Sequence, residues 1–334
     1  MQVGLQDEQT VAIPAEIRKE FQALTSGCGV FKLDRAQIAL TGADRVRWLN
    51  GMVTNNIRDL AVGQGIYAFL LNPQGKIQAD LYAFNRGESI VVETESKQAE
   101  TILQIFDRYI IMDEVEVEHL PGKVAVGVAG PKSAEVLGEH AKEMQSLQVA
   151  KTQWNGFEVT VVRGDNPGVP NYEIWAEAQD AQKVWNALLE RAPETNEEAL
   201  ETFRIACGIP KFGVDIRQKD LPQETGQERA LNFNKGCYVG QEIVERIRSR
   251  GAVHRMFAGF KVEGAIPSPG FRIQHEGKDV AELTSVVTLP TAEGFRTVAL
   301  GYGRRELMAP DQEYVTGETK VRVAALPFAR IFSN

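Results

Sequence analysis

The sequence is poor in the residues that usually announce chemistry. Its three cysteines, Cys28, Cys207 and Cys237, are too few and too far apart for a disulfide framework and form no CxxC pair. Its four histidines, His119, His140, His254 and His275, show no HxH or HExxH spacing, so no metal site is expected. Positive charge is short as well. With 37 Lys and Arg against 45 Asp and Glu, the net charge of −8 gives no global field for nucleic acid or an anionic membrane. No run approaches the roughly 18 apolar residues of a membrane span. The first twenty residues lack the basic start and apolar core of a signal peptide, so a cytoplasmic protein is expected. A dinucleotide fingerprint also fails: Gly27 and Gly29 open one, but Lys32 stands where its third glycine belongs.

What is present suits two or three soluble domains: 334 residues, 43% hydrophobic and 25% charged. The stretch Ile38–Leu49 repeats as Val126–Leu137 at a constant offset of 88, Gly42 matching Gly130 and Leu49 matching Leu137. Each copy is an alternating strand, a glycine turn and the start of a helix, so the repeat predicts two related α+β halves. A hairpin is expected between them, Ile66–Leu71 and Ile77–Phe84, turning on Asn72–Gly75. A strand at Ser89–Thr94 and an amphipathic helix through Ala99, Ile102, Leu103 and Phe106 follow. Further strands are expected at Phe157–Arg163 and Tyr172–Glu177, then a helix over Asp180–Arg191. The next helix is to start at a capping box of Thr195 and Glu198 and to stop at Gly208 and Pro210.

Beyond about residue 256 the segments shorten. Phe257–Val262, Phe271–His275, Ala281–Leu289, Thr297–Tyr302 and Thr319–Ala325 are β-branched or alternating and parted by Gly and Pro, which predicts a small all-β barrel. Just before it, Asn234–Glu242 packs two glycines, a lysine and Cys237 into a loop able to approach a partner closely. Lys235, Arg246, Arg248 and Arg250 would favour a Cys237 thiolate; the alternative is an inert thiol in a structural turn.

The block KGCYVGQE at 235–242 resembles the signature of the YgfZ family of folate-binding proteins, relatives of the glycine-cleavage aminomethyltransferase. Leu40–Asn56, Leu71–Leu81, Arg204–Pro210 and Leu221–Glu224 fall in the same family's order, and the resemblance covers roughly residues 30–330. It implies an α+β protein built as a three-domain ring around a tetrahydrofolate pocket. Residues 1–45 and 122–248 would form a discontinuous folate-binding domain, 46–121 a second α+β domain and 249–334 the barrel. It also implies an accessory factor for assembling or repairing iron–sulfur clusters in client enzymes, with folate and those iron–sulfur clients or assembly proteins as partners. The chain's own thiols and histidines are too few for a stable cluster. The competing expectation is a tetrahydrofolate-dependent one-carbon transferase of the aminomethyltransferase type. Ala79, where those enzymes carry the first of two adjacent acids, weighs against it, and Cys237 favours the accessory factor.

The same resemblance nominates the site. Glu173 matches the carboxylate that accepts from the ring NH and exocyclic amine of a pterin. By alternation it shares a strand face with Trp175 and Glu177, and a solvated carboxylate is its bland alternative. Arg204 is a ligand or pocket-wall candidate, although a cation in the last turn of a helix already complements the dipole. Asp80, on one face with Gln78, Tyr82 and Phe84, matches the acid near the reactive folate nitrogens; it is either a proton-exchanging acid or an exposed hairpin acid. Lys235 and Tyr238 join the cofactor-binding set and Cys237, with Asp80, the catalytic one. Finally, residues 229–261 hold Arg229, Lys235, Arg246, Arg248, Arg250, Arg255 and Lys261 against Glu242 and Glu245. This local reversal of sign is a solvated positive face, a seat for the folate glutamate tail, or a surface for an acidic partner.

Overall fold

The computed structural model describes residues 13–251, 253–291 and 294–328, with the Arg250 side chain left out. The reading of the extreme N-terminus therefore lies largely outside the described residues. Chain order begins with α1 (Ala15–Ser26), β1 (Gly29–Leu33), β2 (Arg35–Thr41), α2 (Arg45–Met52), β3 (Gly65–Leu71) and β4 (Ile77–Asn85). Next come β5 (Ile90–Glu95), α3 (Ser96–Tyr109), β6 (Glu116–His119), β7 (Lys123–Ala129), α4 (Ser133–Leu137) and α5 (Glu139–Lys142). Then follow β8 (Val149–Trp154), β9 (Phe157–Arg163), β10 (Asn171–Glu177), α6 (Ala178–Leu189), α7 (Glu197–Ala206) and α8 (Gln241–Arg250). The C-terminal strands are β11 (Arg255–Gly264), β12 (Arg272–His275), β13 (Lys278–Thr291), β14 (Gly294–Arg304), β15 (Glu313–Thr316) and β16 (Thr319–Ala324).

The repeat is real in three dimensions. One sheet runs β3-β4-β5-β2-β6 and the other β8-β9-β10-β7-β1, the same arrangement built twice. Gly42 and Gly130 hold the equivalent turn after β2 and β7 with φ of +92° and +126°. A Cβ would lie 2.1 Å from the Glu114 carbonyl oxygen at the first and 2.5 Å from that of Gly27 at the second, so both need glycine for conformation and for space. The edge strands are exchanged. β1 pairs with β7 in one sheet while β2, which follows it, pairs in the other; β6 pairs with β2 and β7 crosses back. The chain thus changes sheet at Asp34 and again between His119 and Lys123. Strand 35–41 therefore belongs to the sheet formed with residues 65–119, although the resemblance places residues up to 45 in the first domain. Hydrogen bonding of β2 to β5 and β6 is the reason.

Helices cover the outer faces. Ile38, Leu40, Leu49, Ile102 and Phe106 are buried in one such layer, and Val126, Val128, Ile174, Val184 and Leu188 in the other. The inner faces pack on each other: Phe84 and Val91 meet Ala125, Val149, Val162 and Trp175. Phe84 and Trp175 touch edge to face, ring centroids 5.3 Å apart. Both faces of β10 are buried, so alternation does not send Glu173 to solvent.

The barrel has six strands in the order β12-β13-β14-β11-β16-β15, and it is nearly closed. Its end strands meet where the Gln274 amide donates to Thr316 Oγ1 at 2.9 Å. The short strand β15 had no expectation, because Glu313–Thr316 carries little alternation. At α7 the cap is Asn196, whose Oδ1 accepts from the Ala199 amide at 2.9 Å, one residue after the expected Thr195. Thr195 is instead held as extended chain beside β1, its amide donating to the Val30 carbonyl at 2.8 Å.

Candidate functional site

Between the inner faces lies a cavity of about 430 Å³. Strand alternation builds it: Arg35 opens β2, Tyr82 and Phe84 lie on β4, Glu93 on β5 and Glu173 on β10, all on the faces the sheets turn to each other. Segments 164–167, 208–210 and 226–229 close the rim.

The polar groups converge. Arg35 Nη2 lies 3.5 Å from Glu173 Oε1, and Glu173 Oε2 accepts from Trp175 Nε1 at 3.4 Å. Glu93 is 1% exposed and Glu173 9%. Burial pushes the Glu93 carboxyl well above the ordinary range and the charge of Glu173 pushes it further, with Arg35 working against both. Burial disfavours the charge of Arg35, but Glu173 and Glu93 outweigh it and hold the guanidinium more firmly protonated than usual. Arg35 Nε and Glu93 Oε1 are buried without a hydrogen-bond partner. At the rim Arg229 pairs with Asp165, which also accepts from Tyr82 at 3.0 Å, while its guanidinium carbon lies 4.3 Å from the Tyr67 ring centroid.

Of the residues nominated from the sequence, Glu173 lines this cavity. Asp80 is on the right face but is not among the lining residues. Its carboxylate accepts from Tyr67 at 2.7 Å and from Gln98 Nε2 at 2.8 Å. Burial raises its pKa against these two bonds, which lower it, so it is neither an exposed hairpin acid nor a cavity wall.

Arg204 does not reach the cavity either. Nε and Nη2 grip Glu201, Nη1 donates to Asp215 at 2.7 Å and to the Ile209 carbonyl at 2.8 Å, and Nη2 donates to Ser285 at 2.9 Å. All five N–H groups are spent on the protein, leaving none for a ligand. Arg204 instead ties α7 to the following loop and to β13.

Lys235 and Tyr238 are anchors, not cavity residues. Lys235 Nζ donates to the carbonyls of Asn50, Val53 and Asn55 at 2.5, 2.5 and 2.8 Å, which uses its three protons on the C-terminal end of α2. Burial, with Arg58 adding to it, pushes this ammonium down to about 7. Tyr238 packs with Phe69, Leu71 and Ile77 beneath it.

Cys237 is exposed, whereas Cys28 and Cys207 are buried with thiols pushed up to about 12. Its loop lies against α2 through Val239, whose amide donates to the Gly51 carbonyl at 3.1 Å, and Cys237 is not among the cavity-lining residues. The expected cationic surroundings are largely neutralised, since Arg246 pairs with Glu242 and Arg248 with Glu245. Arg255 is taken by Asp220 and Glu224. The basic stretch is therefore spread over separate elements; Arg229 alone of its described members lines the cavity, and the Arg250 side chain lies outside the described residues. Sequence reasoning missed Arg35 and Glu93. The available signal was one charge inside the apolar strand Ile90–Thr94, in phase with Val91.

Two α+β halves enclosing a polar-floored cavity, followed by a β-barrel, define the aminomethyltransferase fold. The structure matches aminomethyltransferase T of the glycine cleavage system from Bartonella henselae with a TM-score of 0.85, covering 95% of this chain and 90% of that one at 22% identity. The GCVT N-terminal domain family matches residues 8–235, and the chain belongs to that family. An aminomethyltransferase of Rippkaea orientalis is 26% identical over 311 residues, 88% of this chain and 83% of that protein. The tRNA-modifying protein YgfZ of Yersinia enterocolitica is 30% identical over 224 residues, 66% of this chain and 67% of that protein. Among the described residues no helix is long and apolar enough to cross a membrane.

Proposed function

We propose that the chain binds tetrahydrofolate between its two sheets and serves as an accessory protein for iron–sulfur clusters in client enzymes. The observation that carries the ligand assignment is Glu173, buried in a cavity of about 430 Å³ beside a guanidinium and a second acid. That volume suits a small heterocycle, and Tyr82 and Phe84 offer aromatic surface to its rings. Two carboxylate oxygens suit the ring NH and exocyclic amine of a pterin. The unpartnered, buried Arg35 Nε and Glu93 Oε1 on two lining residues support a polar guest. Belonging to a family that includes aminomethyltransferases supports the same ligand.

The accessory role rests on Cys237, the exposed thiol of the three, on a loop hydrogen-bonded to α2 through Lys235. Such a thiol is available to a client or a sulfur species. The retention of Asp80 beside Tyr67 supports the second reading, transfer of a one-carbon unit to the folate. Its place outside the lining residues and the Ala79 neighbour favour the first.

The test is a titration with tetrahydrofolate of the wild type and of Glu173→Ala. Loss of a charged hydrogen-bond partner should weaken binding on the order of ten- to a hundredfold. Unchanged affinity in the folded variant removes the ligand assignment. An assay with an aminomethyl-loaded carrier protein separates the two activities: Asp80-dependent formation of methylene-tetrahydrofolate makes the chain a transferase.

A further inference from the structure

The cavity holds more recognition chemistry than Glu173 provides. Glu93 and Glu173 face each other from β5 and β10, with Arg35 beside both and Tyr82 on the neighbouring strand. Arg229, the other guanidinium on the lining, is taken by Asp165. Two ionised carboxylates would thus share one guanidinium in a buried space, leaving a negative charge unmatched. Such pairs keep one acid protonated, here the more deeply buried Glu93, 1% exposed. Its Oε1 has no hydrogen-bond partner, and neither has the adjacent Arg35 Nε, so both residues stand on the cavity lining with an unmet hydrogen bond.

We infer that Glu93 is a specificity-determining residue of the cavity, a carboxylic acid that donates, together with Arg35, to the carbonyl edge of the ligand while Glu173 accepts from its N–H groups. The inference rests on the proposed function for the pterin, but its chemistry is a 2-amino-4-oxo pyrimidine edge, which guanine also carries. An acid at position 93 selects a ring carbonyl over a ring amine, because an amine would set donor against donor.

The experiment compares tetrahydrofolate, its 4-amino analogue and GMP by titration against the wild type, Glu93→Gln and Glu93→Leu, with melting curves for each variant. Tetrahydrofolate should bind the wild type more tightly than the 4-amino analogue by roughly ten- to a hundredfold. Glu93→Gln keeps an N–H donor and should retain tetrahydrofolate affinity within about threefold. Glu93→Leu should lose roughly five- to tenfold and most of the preference for the carbonyl. Equal wild-type affinity for the 4-oxo and 4-amino rings overturns the inference whatever the variants do, and so does a Glu93→Gln loss as large as that of Glu93→Leu. A wild type that ignores tetrahydrofolate but binds GMP with the same Glu93 dependence overturns the folate reading and leaves this inference standing. Binding of tetrahydrofolate without any Glu93 dependence does the reverse.

Discussion

Arg204 offers the sharpest contrast between a ligand contact and a structural clamp. Its guanidinium joins Glu201 on its own helix, Asp215 and the Ile209 carbonyl in the following loop, and Ser285 in the barrel. Asp215 is 0% exposed, and its other partners, Thr284, Ser285 and the Lys211 amide, supply hydrogen bonds but no countercharge. Arg204→Met therefore strands an anion at the junction where Phe203 and Ile205 pack on Phe257, Leu289 and Leu300. Breaking one side of a buried pair costs about 3–5 kcal/mol. For a chain of this size that is a melting temperature lowered by roughly 4–7 °C. The assay is thermal and urea unfolding of the wild type, Arg204→Met, Asp215→Asn and the double variant. Removing both charges should recover at least about 1 kcal/mol relative to the sum of the single changes, since the two groups act as a pair. Tetrahydrofolate affinity of Arg204→Met, measured well below its melting point, should stay within about threefold of wild type, because no N–H of Arg204 is free for a ligand. A variant of wild-type stability with a tenfold or greater loss of folate affinity would refute the clamp.

Two further outcomes follow from the same geometry. In native protein a thiol reagent should label one cysteine rapidly, Cys237, and reach Cys28 and Cys207 only on unfolding, because those two are buried and their thiols are pushed up to about 12; peptide mapping after a short pulse reads this, and fast labelling of Cys207 contradicts it. Asp80 has its pKa raised by burial, so the folded state binds its proton more tightly than the unfolded state does. Its contribution is fully present below the unfolded value of about 3.9 and is lost as pH rises through the folded value. The stability of Asp80→Asn relative to wild type should accordingly shift in favour of the variant as pH rises from about 4, and a flat difference between pH 4 and 8 tells against an acid whose burial outweighs its two hydrogen bonds.

The sequence by itself determined what depends on neighbours in the chain. The period-two pattern of Ile77–Phe84, the Asn72 turn and the glycines at 42 and 130 are short-range, and their strands and turns stand where the pattern puts them, as does the repeat. Glu173 was legible too, through a motif rather than through burial. Tertiary structure decided the rest, because each decision was made by a partner far along the chain. The exchange of β1 and β6 between the sheets depends on long-range ladders that local propensity does not encode. Arg204 looked free until its five donors met acceptors in its own helix and two other segments. Lys235 reads as an exposed loop cation, yet it is consumed by carbonyls more than 170 positions earlier. Glu93 gained its chemistry only when the second sheet closed over the first, which buried its carboxyl and placed a second acid against it, both of which raise its pKa.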